Sequence, residues 1–307
     1  MKSRAQCLRD LIAAGDLIIA PGVYDGYSAR LVEAAGFESA ATSGAAVSNS
    51  RLGIDDIGVM DLAENVGHCR HLASTLSIPL TADADTGYGN PMNVHYTVQQ
   101  FEQAGVAGIN IEDQVHPKRC GHMPGKEVIP LIEMVKKIEA ACLARKDDAF
   151  VIIARTDALA IEGIEGTLAR VRAYVEAGAD MIFPDAARSE DDIKAIVEAA
   201  GSTPVTINMG FGIRARPTTP LIPLPVLKTI GVRRVSLPRM LPAAAILGMS
   251  RALDCMKESI RTGVPADRPD LVVGIDDIMQ LMGYDEMRAL EKRLLSTEAL
   301  EAKYSKP

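Results

Sequence analysis

Residues 80–112, LTADADTGYGNPMNVHYTVQQFEQAGVAGINIE, contain the unit from which the fold can be inferred. Their first four residues, Leu80–Asp83, form a short apolar run typical of strands buried on both faces. Asn90 and Pro91 are typical of a helix cap and a first helical position, and Gly105 lies near the end of the helical pattern that follows. Another apolar run, Gly108–Glu112, comes next. The stretch therefore predicts a strand, a helix and a second strand.

Similar apolar runs recur along the first 240 residues, with helical patterns between them. They begin roughly 31 residues apart, which is the size of one βα unit. Eight such units predict an α/β fold, a (β/α)8 TIM-type barrel, whose interior is filled by branched aliphatic side chains. The eight predicted strands are Leu17–Ala20, Ser39–Thr42, Leu80–Asp83, Gly108–Glu112, Phe150–Arg155, Met181–Pro184, Val205–Asn208 and Arg234–Leu237.

The sequence after about residue 240 is not needed for eight βα units. Its pattern predicts helices over residues 242–262, 275–282 and 284–295. Because no stretch has the composition of a linker, we expect a single domain over residues 1–307. The barrel would occupy about residues 1–240, and a C-terminal helical extension would occupy about residues 241–307.

The composition excludes several classes of protein. The chain has 33 basic and 40 acidic residues, a formal net charge of −7, no Trp, five Phe and seven Tyr. An acidic chain with so few rings is not expected to bind nucleic acid. A normal apolar fraction with a small net charge excludes a disordered chain. No run approaches 18 apolar residues, so we expect neither a transmembrane helix nor a membrane partner.

The cysteines and the N-terminal residues indicate a compartment. Five cysteines without paired spacing favour reduced thiols. The first 17 residues lack the long apolar region of a secretory signal. We therefore expect a cytoplasmic protein.

Carboxylates end two neighbouring predicted strands, at the edge where barrel enzymes carry their catalytic groups. Asp83 and Asp85 are two residues apart, so on an extended strand they would point to the same side. Two carboxylates so close repel each other unless a cation neutralises them, and Mg²⁺ takes one or two carboxylates and keeps several waters. Glu112, on the next strand, could complete the shell through water. A capping or salt-bridged pair of aspartates is the alternative, and we favour the metal.

Groups that could bind an anion end other predicted strands. Arg155 presents a planar fork suited to a substrate carboxylate, although an ion pair with a neighbouring acidic residue is the alternative. Asp185 follows the sixth strand and Asn208 ends the seventh. The small residues that could offer backbone N–H groups to an anion are Ser43, Gly44 and Ala45.

Cys120 lies in a polar loop, residues 115–125, and differs from the other cysteines, which lie in apolar helical patterns. Lys118, Arg119 and His122 flank it, and we expect them to favour the thiolate and ease proton exchange. The two basic residues would also supply a positive field. His122 is equally compatible with a solvated loop histidine.

Four motifs occur in the order and spacing of the isocitrate lyase/phosphoenolpyruvate mutase superfamily, which the sequence resembles over about residues 4–256. They are D-A-D-T-G-Y-G-N (Asp83–Asn90), I-E-D-Q-V (Ile111–Val115), K-R-C-G-H (Lys118–His122) and A-R-T-D-A (Ala154–Ala158). The K-R-C-G-H loop is similar to that of the carbon–carbon lyase branch, whose substrates include 2-methylisocitrate and 2,3-dimethylmalate. The resemblance implies cleavage of a substituted 2-hydroxy di- or tricarboxylate to a 2-oxo acid (pyruvate or glyoxylate) and a carboxylic acid.

The resemblance also implies a role for each site residue. Mg²⁺, or Mn²⁺ in its place, would be held by Asp85 with support from Asp56, Asp83 and Glu112. The carboxylate of the 2-oxo acid would be bound by the backbone of Ser43, Gly44 and Ala45 and by Arg155. Asn208 would contact the other carboxylate of the substrate. Cys120 would be the general acid on a loop that closes over the substrate, with Lys118 and His122 beside it. The family further implies a homotetramer with a swapped C-terminal helix.

Three departures from the family pattern affect the predicted substrate pocket. Asp185 stands where lyases of the methylisocitrate type have Glu, so its carboxylate is one methylene shorter. The segment Asn208–Gly212 lacks a Thr that would help to bind the distal carboxylate. Ala41 replaces an aromatic residue. These changes touch specificity rather than the metal or the acid.

Several other functions were weighed against the lyase. Two belong to the same superfamily: a phosphonomutase of the carboxyphosphonoenolpyruvate type, whose loop is also K-R-C-G-H, and an oxaloacetate hydrolase or decarboxylase. A binding protein without catalysis is disfavoured because Cys120 and the Asp83–Asp85 pair are intact. A Schiff-base aldolase is disfavoured because no lysine ends a predicted strand. The group that accepts the hydroxyl proton stays open, with Tyr88 as one candidate.

Overall fold

Eight parallel strands close into a barrel in which each strand pairs with the next and the last pairs with the first. The structure is a computed structural model that describes residues 2–121, 123–214 and 218–304. The strands are β1 (Ile18–Val23), β2 (Ala40–Thr42), β3 (Leu80–Asp83), β4 (Gly108–Glu112), β5 (Val151–Thr156), β6 (Met181–Pro184), β7 (Val205–Asn208) and β8 (Val232–Leu237). The predicted (β/α)8 fold is confirmed.

Helices follow the strands around the barrel and continue beyond it. Those among the barrel strands are α1 (Arg4–Ala14), α2 (Gly26–Ala34), α3 (Gly44–Leu52), α4 (Leu62–Thr75), α5 (Pro91–Gln103), α6 (Leu131–Ala144), α7 (Leu159–Glu176), α8 (Glu190–Ala200) and α9 (Leu224–Ile230). Those after β8 are α10 (Met240–Thr262), α11 (Ile275–Leu281), α12 (Tyr284–Leu294) and α13 (Thr297–Tyr304). No described helix is both long enough and apolar enough to cross a membrane.

Local sequence explains where these elements begin. The Asn90 side chain accepts hydrogen bonds from the N–H groups of Met92 and Asn93, with Pro91 at the first position of α5, as the sequence predicts. Asp25 caps α2 and Ser43 caps α3 in the same way. These caps lie at the carboxyl ends of β1, β2 and β3, so each helix starts at the edge of the barrel where the polar groups lie.

The amino-terminal end of the barrel is filled by apolar side chains. Leu8 of α1 is fully buried and packs in one cluster with Val151, Met181 and Ala107, which lie where β5, β6 and β4 begin. Ile153 belongs to the same cluster and lies two residues further along β5, on the same face as Val151. The helix α1 therefore covers this end, and the free space inside the barrel lies towards the carboxyl ends of the strands.

The chain divides into two compact units, Met1–Ala243 and Ala244–Pro307. The first contains the whole barrel. The second consists of most of α10 together with α11, α12 and α13, and no described residue of these four helices is buried. The expectation of one domain over residues 1–307 stays a prediction.

Candidate active site

A pocket opens at the carboxyl ends of the strands, with a volume of about 60 Å³. Its walls come from seven strands, β2 to β8, or the residues just after them and from the loop that carries Cys120. Charged residues among the lining include Asp56, Asp83, Lys118, Arg155, Asp185, Arg234 and Arg239. The volume is several times the ~10–15 Å³ that one enclosed water requires, so the pocket fits a small organic acid.

Asp83 is held firmly at the end of β3. Its Oδ1 accepts from Asn110 Nδ2 at 3.0 Å and from the Asp85 N–H at 3.1 Å. Its Oδ2 accepts from the Gly44 N–H at 3.3 Å. A Cβ on Gly44 would lie 2.7 Å from this oxygen, so glycine lets the start of α3 approach the Asp83 carboxylate without displacing it.

Asp85 does not continue the strand as the sequence analysis expected. The strand β3 ends at Asp83, and Asp85 has a left-handed backbone with φ of 48°. The two carboxylates are therefore related by a turn and not by strand alternation. The turn brings Asp85 Oδ1 to 2.9 Å from Lys118 Nζ.

Lys118 lies between two of the predicted metal ligands. Its Nζ is 2.7 Å from Asp56 Oδ2 as well as 2.9 Å from Asp85 Oδ1, and its side chain is 2% exposed. Burial opposes the charged form, but the carboxylates of Asp85, Glu112 and Asp56 raise the pKa of Lys118 well above its usual value. Burial also raises the pKa of Asp85 to about 6, although Lys118 opposes that shift.

Arg155 reaches the pocket but is surrounded by carboxylates. Its Nε is 2.9 Å from Asp157 Oδ2 and 3.1 Å from Glu112 Oε2, and its Nη2 is 3.6 Å from Asp185 Oδ2. The guanidinium also lies 5.2 Å from the centre of the Phe183 ring. Arg155 thus makes the structural ion pairs that the sequence analysis kept as the alternative, and any substrate carboxylate must compete with them.

Cys120 is buried at the mouth of the pocket. Arg239 Nη2 donates to its Sγ at 3.0 Å, and its N–H donates to Asp56 O at 3.2 Å. Burial raises the pKa of the thiol, and Arg239 opposes the shift. The flanking Lys118 also lowers the pKa of the thiol, in the expected direction, but burial outweighs both cations, and Arg119 is exposed.

The loop that carries Cys120 is anchored on both sides of the thiol. Lys118 anchors it before Cys120, and Lys126 anchors it afterwards, with its Nζ 2.8 Å from Asp157 Oδ1 and 3.7 Å from Asp185 Oδ2. Gly121 lies against Asp185 so closely that an added Cβ would collide with the carboxylate. The loop therefore lies over the pocket. The predicted catalytic residue His122 lies outside the described residues.

The remaining predicted residues line the same pocket, but several of the N–H and side-chain groups expected to bind an anion already have partners within the protein. In the first turn of α3, the Gly44 N–H is taken by Asp83 and the Ala46 N–H by Ser43 Oγ. Asn208 Oδ1 accepts a short hydrogen bond from the Ser236 hydroxyl. Ser43, Gly44, Ala45, Asp185 and Asn208 are all lining residues.

Three basic residues of the site were missed by the sequence analysis: Arg234, Arg239 and Lys126. Arg239 lies two residues after β8, and this position just beyond the eighth strand is the signal that could have found it. Arg234 was included in a predicted buried strand, and a charged residue in such a strand is itself a signal of a site. Nothing in the local pattern singles out Lys126.

Tyr88, the suggested acceptor for a hydroxyl proton, does not line the pocket. Its hydroxyl accepts from Asn65 Nδ2 at 2.7 Å. Burial raises its pKa well above the usual value. Tyr88 is therefore placed to support the loop after β3 and not to contact a substrate.

The described residues contain no ready-made cage of three or more His, Cys, Asp or Glu side chains for a metal. Four buried carboxylate oxygens here lack a hydrogen bond of good geometry: Asp85 Oδ1, both oxygens of Glu112, and Asp185 Oδ2. Asp85 Oδ1 and Glu112 Oε2 are ion-paired with Lys118 and Arg155, whereas Glu112 Oε1 has neither kind of partner among the described residues. An oxygen-only donor set suits a hard cation, and Mg²⁺ requires only one or two protein carboxylates because it keeps several waters. The residues present fit such an ion.

Comparison with known proteins gives consistent matches over most of the chain. Residues 8–257 match the family model described as phosphoenolpyruvate phosphomutase. A probable 2-methylisocitrate lyase 2 of Corynebacterium glutamicum is 39% identical, covering 96% of this chain and 94% of that protein. A crystal structure of 2,3-dimethylmalate lyase has a TM-score of 0.85 and 34% identity, covering 95% and 96% of the two chains. Phosphonopyruvate hydrolase in complex with oxalate and Mg²⁺ has a TM-score of 0.83 and 32% identity, covering 96% and 100%.

Proposed function

The chain belongs to the phosphoenolpyruvate mutase/isocitrate lyase superfamily and is a carbon–carbon lyase, and from this premise we propose which bond it cleaves. The substrate is a substituted 2-hydroxy di- or tricarboxylate of the 2-methylisocitrate or 2,3-dimethylmalate type. The bond between C2 and C3 breaks and yields a 2-oxo acid, pyruvate or glyoxylate, and a carboxylic acid.

The observation that carries this proposal is the buried Cys120 thiol beside Arg239 at the mouth of a pocket lined by both carboxylates and basic side chains. A carbon–carbon lyase must deliver a proton to the carbon that leaves. A thiol whose pKa is raised by burial stays protonated at neutral pH and can donate. The guanidinium 3.0 Å away then stabilises the thiolate that donation leaves behind.

The residues that would hold Mg²⁺ are Asp85 and Asp83, with Glu112 and Asp56 supporting them directly or through waters. When bound, the ion supplies Lewis-acid polarisation of the substrate oxygens and eases loss of the hydroxyl proton. Lys118 forms ion pairs with both Asp56 and Asp85, so its ammonium neutralises part of their negative charge. The rest of that charge would be available to a divalent ion. Arg155 holds Glu112 in place in the same way.

The chain's own residues then serve the two halves of the reaction. A base takes the proton of the C2 hydroxyl, the C2–O bond becomes a carbonyl, and the C2–C3 electron pair passes to the departing carboxylic acid as an enolate. Cys120 gives its proton to C3 of this enolate, and Arg239 balances the thiolate. The loop of residues 115–125 excludes water, which would otherwise protonate the enolate without control.

A substrate panel tests the proposal. The enzyme is incubated with 2-methylisocitrate, 2,3-dimethylmalate, oxaloacetate and carboxyphosphonoenolpyruvate in the presence of Mg²⁺, and the products are followed by NMR. We expect a 2-oxo acid and a carboxylic acid from at least one hydroxy acid. Oxalate and acetate from oxaloacetate alone, or rearrangement of a phosphonate alone, would replace the lyase proposal by hydrolase or phosphonomutase chemistry.

A further inference from the structure

Arg234 is a buried arginine without a counter-charge. It lies in β8 and is 3% exposed. Its Nη2 donates to Thr81 Oγ1 at 2.6 Å and its Nη1 to Thr206 Oγ1 at 3.5 Å, so the side chain points into the barrel between β3 and β7. Its Nε has no hydrogen-bond partner among the described residues.

This arrangement is costly, because arginine keeps its charge in proteins and is rarely buried without a partner. The other buried arginines among the described residues do have acidic partners: Arg155 contacts three carboxylates, and Arg170 pairs with Asp113 and Glu162. Burial lowers the pKa of Arg234 to about 10, and no acidic side chain of the described residues offsets the shift. The guanidinium therefore stays charged at neutral pH, and an anion bound beside it would offset the cost of its burial.

The location of Arg234 shows where that anion must come from. It borders the pocket, as do Asn208 and Ser236, and Ser236 lies two residues further along β8 on the same face. Thr81 lies two residues before Asp83 in β3, so Arg234 is deeper in the barrel than the acidic cluster. An anion that reaches Arg234 must therefore enter through the pocket itself.

We propose that Arg234 binds the second carboxylate of the substrate, the one not attached to the hydroxyl-bearing carbon, and so selects dicarboxylates over monocarboxylates. The inference rests on the proposed function and extends it to specificity. Arg155 is already neutralised by its three carboxylates, which leaves Arg234 as the uncompensated cation deep in the pocket. The segment Asn208–Gly212 after β7 lacks the Thr that was expected to help bind the distal carboxylate. The same assignment accounts for this difference, because Arg234 of β8 would bind that carboxylate instead.

The test compares the binding of two acids that share a 2-hydroxy acid head. Malate carries a distal carboxylate and lactate does not. Calorimetry with Mg²⁺ present measures both dissociation constants, with each enantiomer of malate titrated separately. We expect the protein to prefer malate by about 10- to 100-fold, the range of a charge-assisted hydrogen bond, and Arg234→Met to abolish the preference while leaving lactate binding unchanged.

The neighbouring arginine provides the matched control. Arg233 precedes Arg234 in β8, but its guanidinium reaches Gly15 after α1 and does not line the pocket, so Arg233→Met should keep the full preference for malate. Thermal unfolding checks that each variant is folded, and Arg234→Gln replaces the methionine variant if the latter does not fold. A preference for malate that survives in the folded Arg234 variant would overturn the proposal.

The binding experiment on Arg234 and the substrate panel can fail independently of each other. If no hydroxy diacid is cleaved but Arg234→Met loses the preference for malate, the carboxylate site stands and the lyase reaction falls. If cleavage occurs and the preference persists in Arg234→Met, the reaction stands and the carboxylate site falls.

Discussion

Lys118 contacts both Asp56 and Asp85, so a lysine stands among the carboxylates that were expected to surround a metal. The sequence shows that acidic residues end neighbouring strands, but the direction of a loop lysine depends on tertiary contacts. The structure pairs Lys118 with two of the proposed metal ligands and Cys120 with Arg239. Which residues gather was predictable from strand ends, and which atoms pair was not.

Replacing Cys120 by serine tests the general acid. A serine hydroxyl is a far weaker acid, so Cys120→Ser should lower kcat by about 10²–10⁴-fold while leaving binding of pyruvate with Mg²⁺ largely intact. Steady-state kinetics and calorimetry measure the two effects. Cys142→Ser, at a half-buried cysteine on α6, is the control and should keep normal turnover. Near-normal turnover of Cys120→Ser would remove Cys120 from the acid role.

Replacing Asp85 by alanine tests the metal assignment. The change removes the buried carboxylate that is proposed to bind the metal and that shares Lys118 with Asp56, so metal-dependent activity should be abolished. Mn²⁺ binding, followed by electron paramagnetic resonance, should be lost in parallel. Asp254→Ala, on the exposed surface of α10, should change neither. Retained Mn²⁺ affinity in Asp85→Ala would show that the ligand set is misassigned.

The elements of the barrel follow the sequence pattern closely, because strand burial and helix capping are local signals. The predicted strand Gly108–Glu112 is β4, and the cap at Asn90 is formed as expected. The error at Asp85 arose because period-two alternation holds only while the backbone is extended. A left-handed residue directly after β3 gives no strong signal when that residue is not glycine.

The loop that carries Cys120 depends on Lys126 as its second anchor. Lys126→Met removes the ammonium that is 2.8 Å from Asp157 Oδ1 and leaves that buried carboxylate with Arg155 alone. We expect the free energy of unfolding to fall by about 1–3 kcal/mol and trypsin to cleave more rapidly after Arg119. Denaturant unfolding and timed proteolysis measure these changes.

The control for the loop is Lys136→Met, which removes an exposed ion pair of α6 with Glu139. It should change stability by less than about 1 kcal/mol and leave the cleavage rate unaltered. Equal protection of Arg119 in Lys126→Met and the unchanged protein would mean that Lys118 alone anchors the loop.

At the scale of the whole molecule, the helices after the barrel carry an exposed apolar surface. Large side chains on α10 are mostly exposed, among them Leu253 at 62% and Ile260 at 75%. Exposed apolar surface of this kind marks interaction sites. The family resemblance predicts a homotetramer, but a single chain's sequence contains no direct measure of its copy number.

Light scattering after size exclusion tests the assembly. We expect a mass of about four times the 32.8 kDa of one chain. Ile260→Glu places a charge on the apolar surface of α10 and should lower the mass, whereas Lys257→Glu at an already charged exposed position should not. A monomeric mass for the unchanged protein at micromolar concentration would contradict the prediction.

Leu8 and its neighbours cover the amino-terminal end of the barrel, and this has a consequence for the order of release. Because the described residues at this end close the barrel, two products formed in the pocket leave towards the carboxyl ends of the strands, and the deeper one is expected to leave last. In such an ordered reaction, the last product to leave inhibits competitively against the substrate, and the first inhibits noncompetitively. The inhibition patterns of the 2-oxo acid and the carboxylic acid would therefore report which of them lies deeper in the barrel.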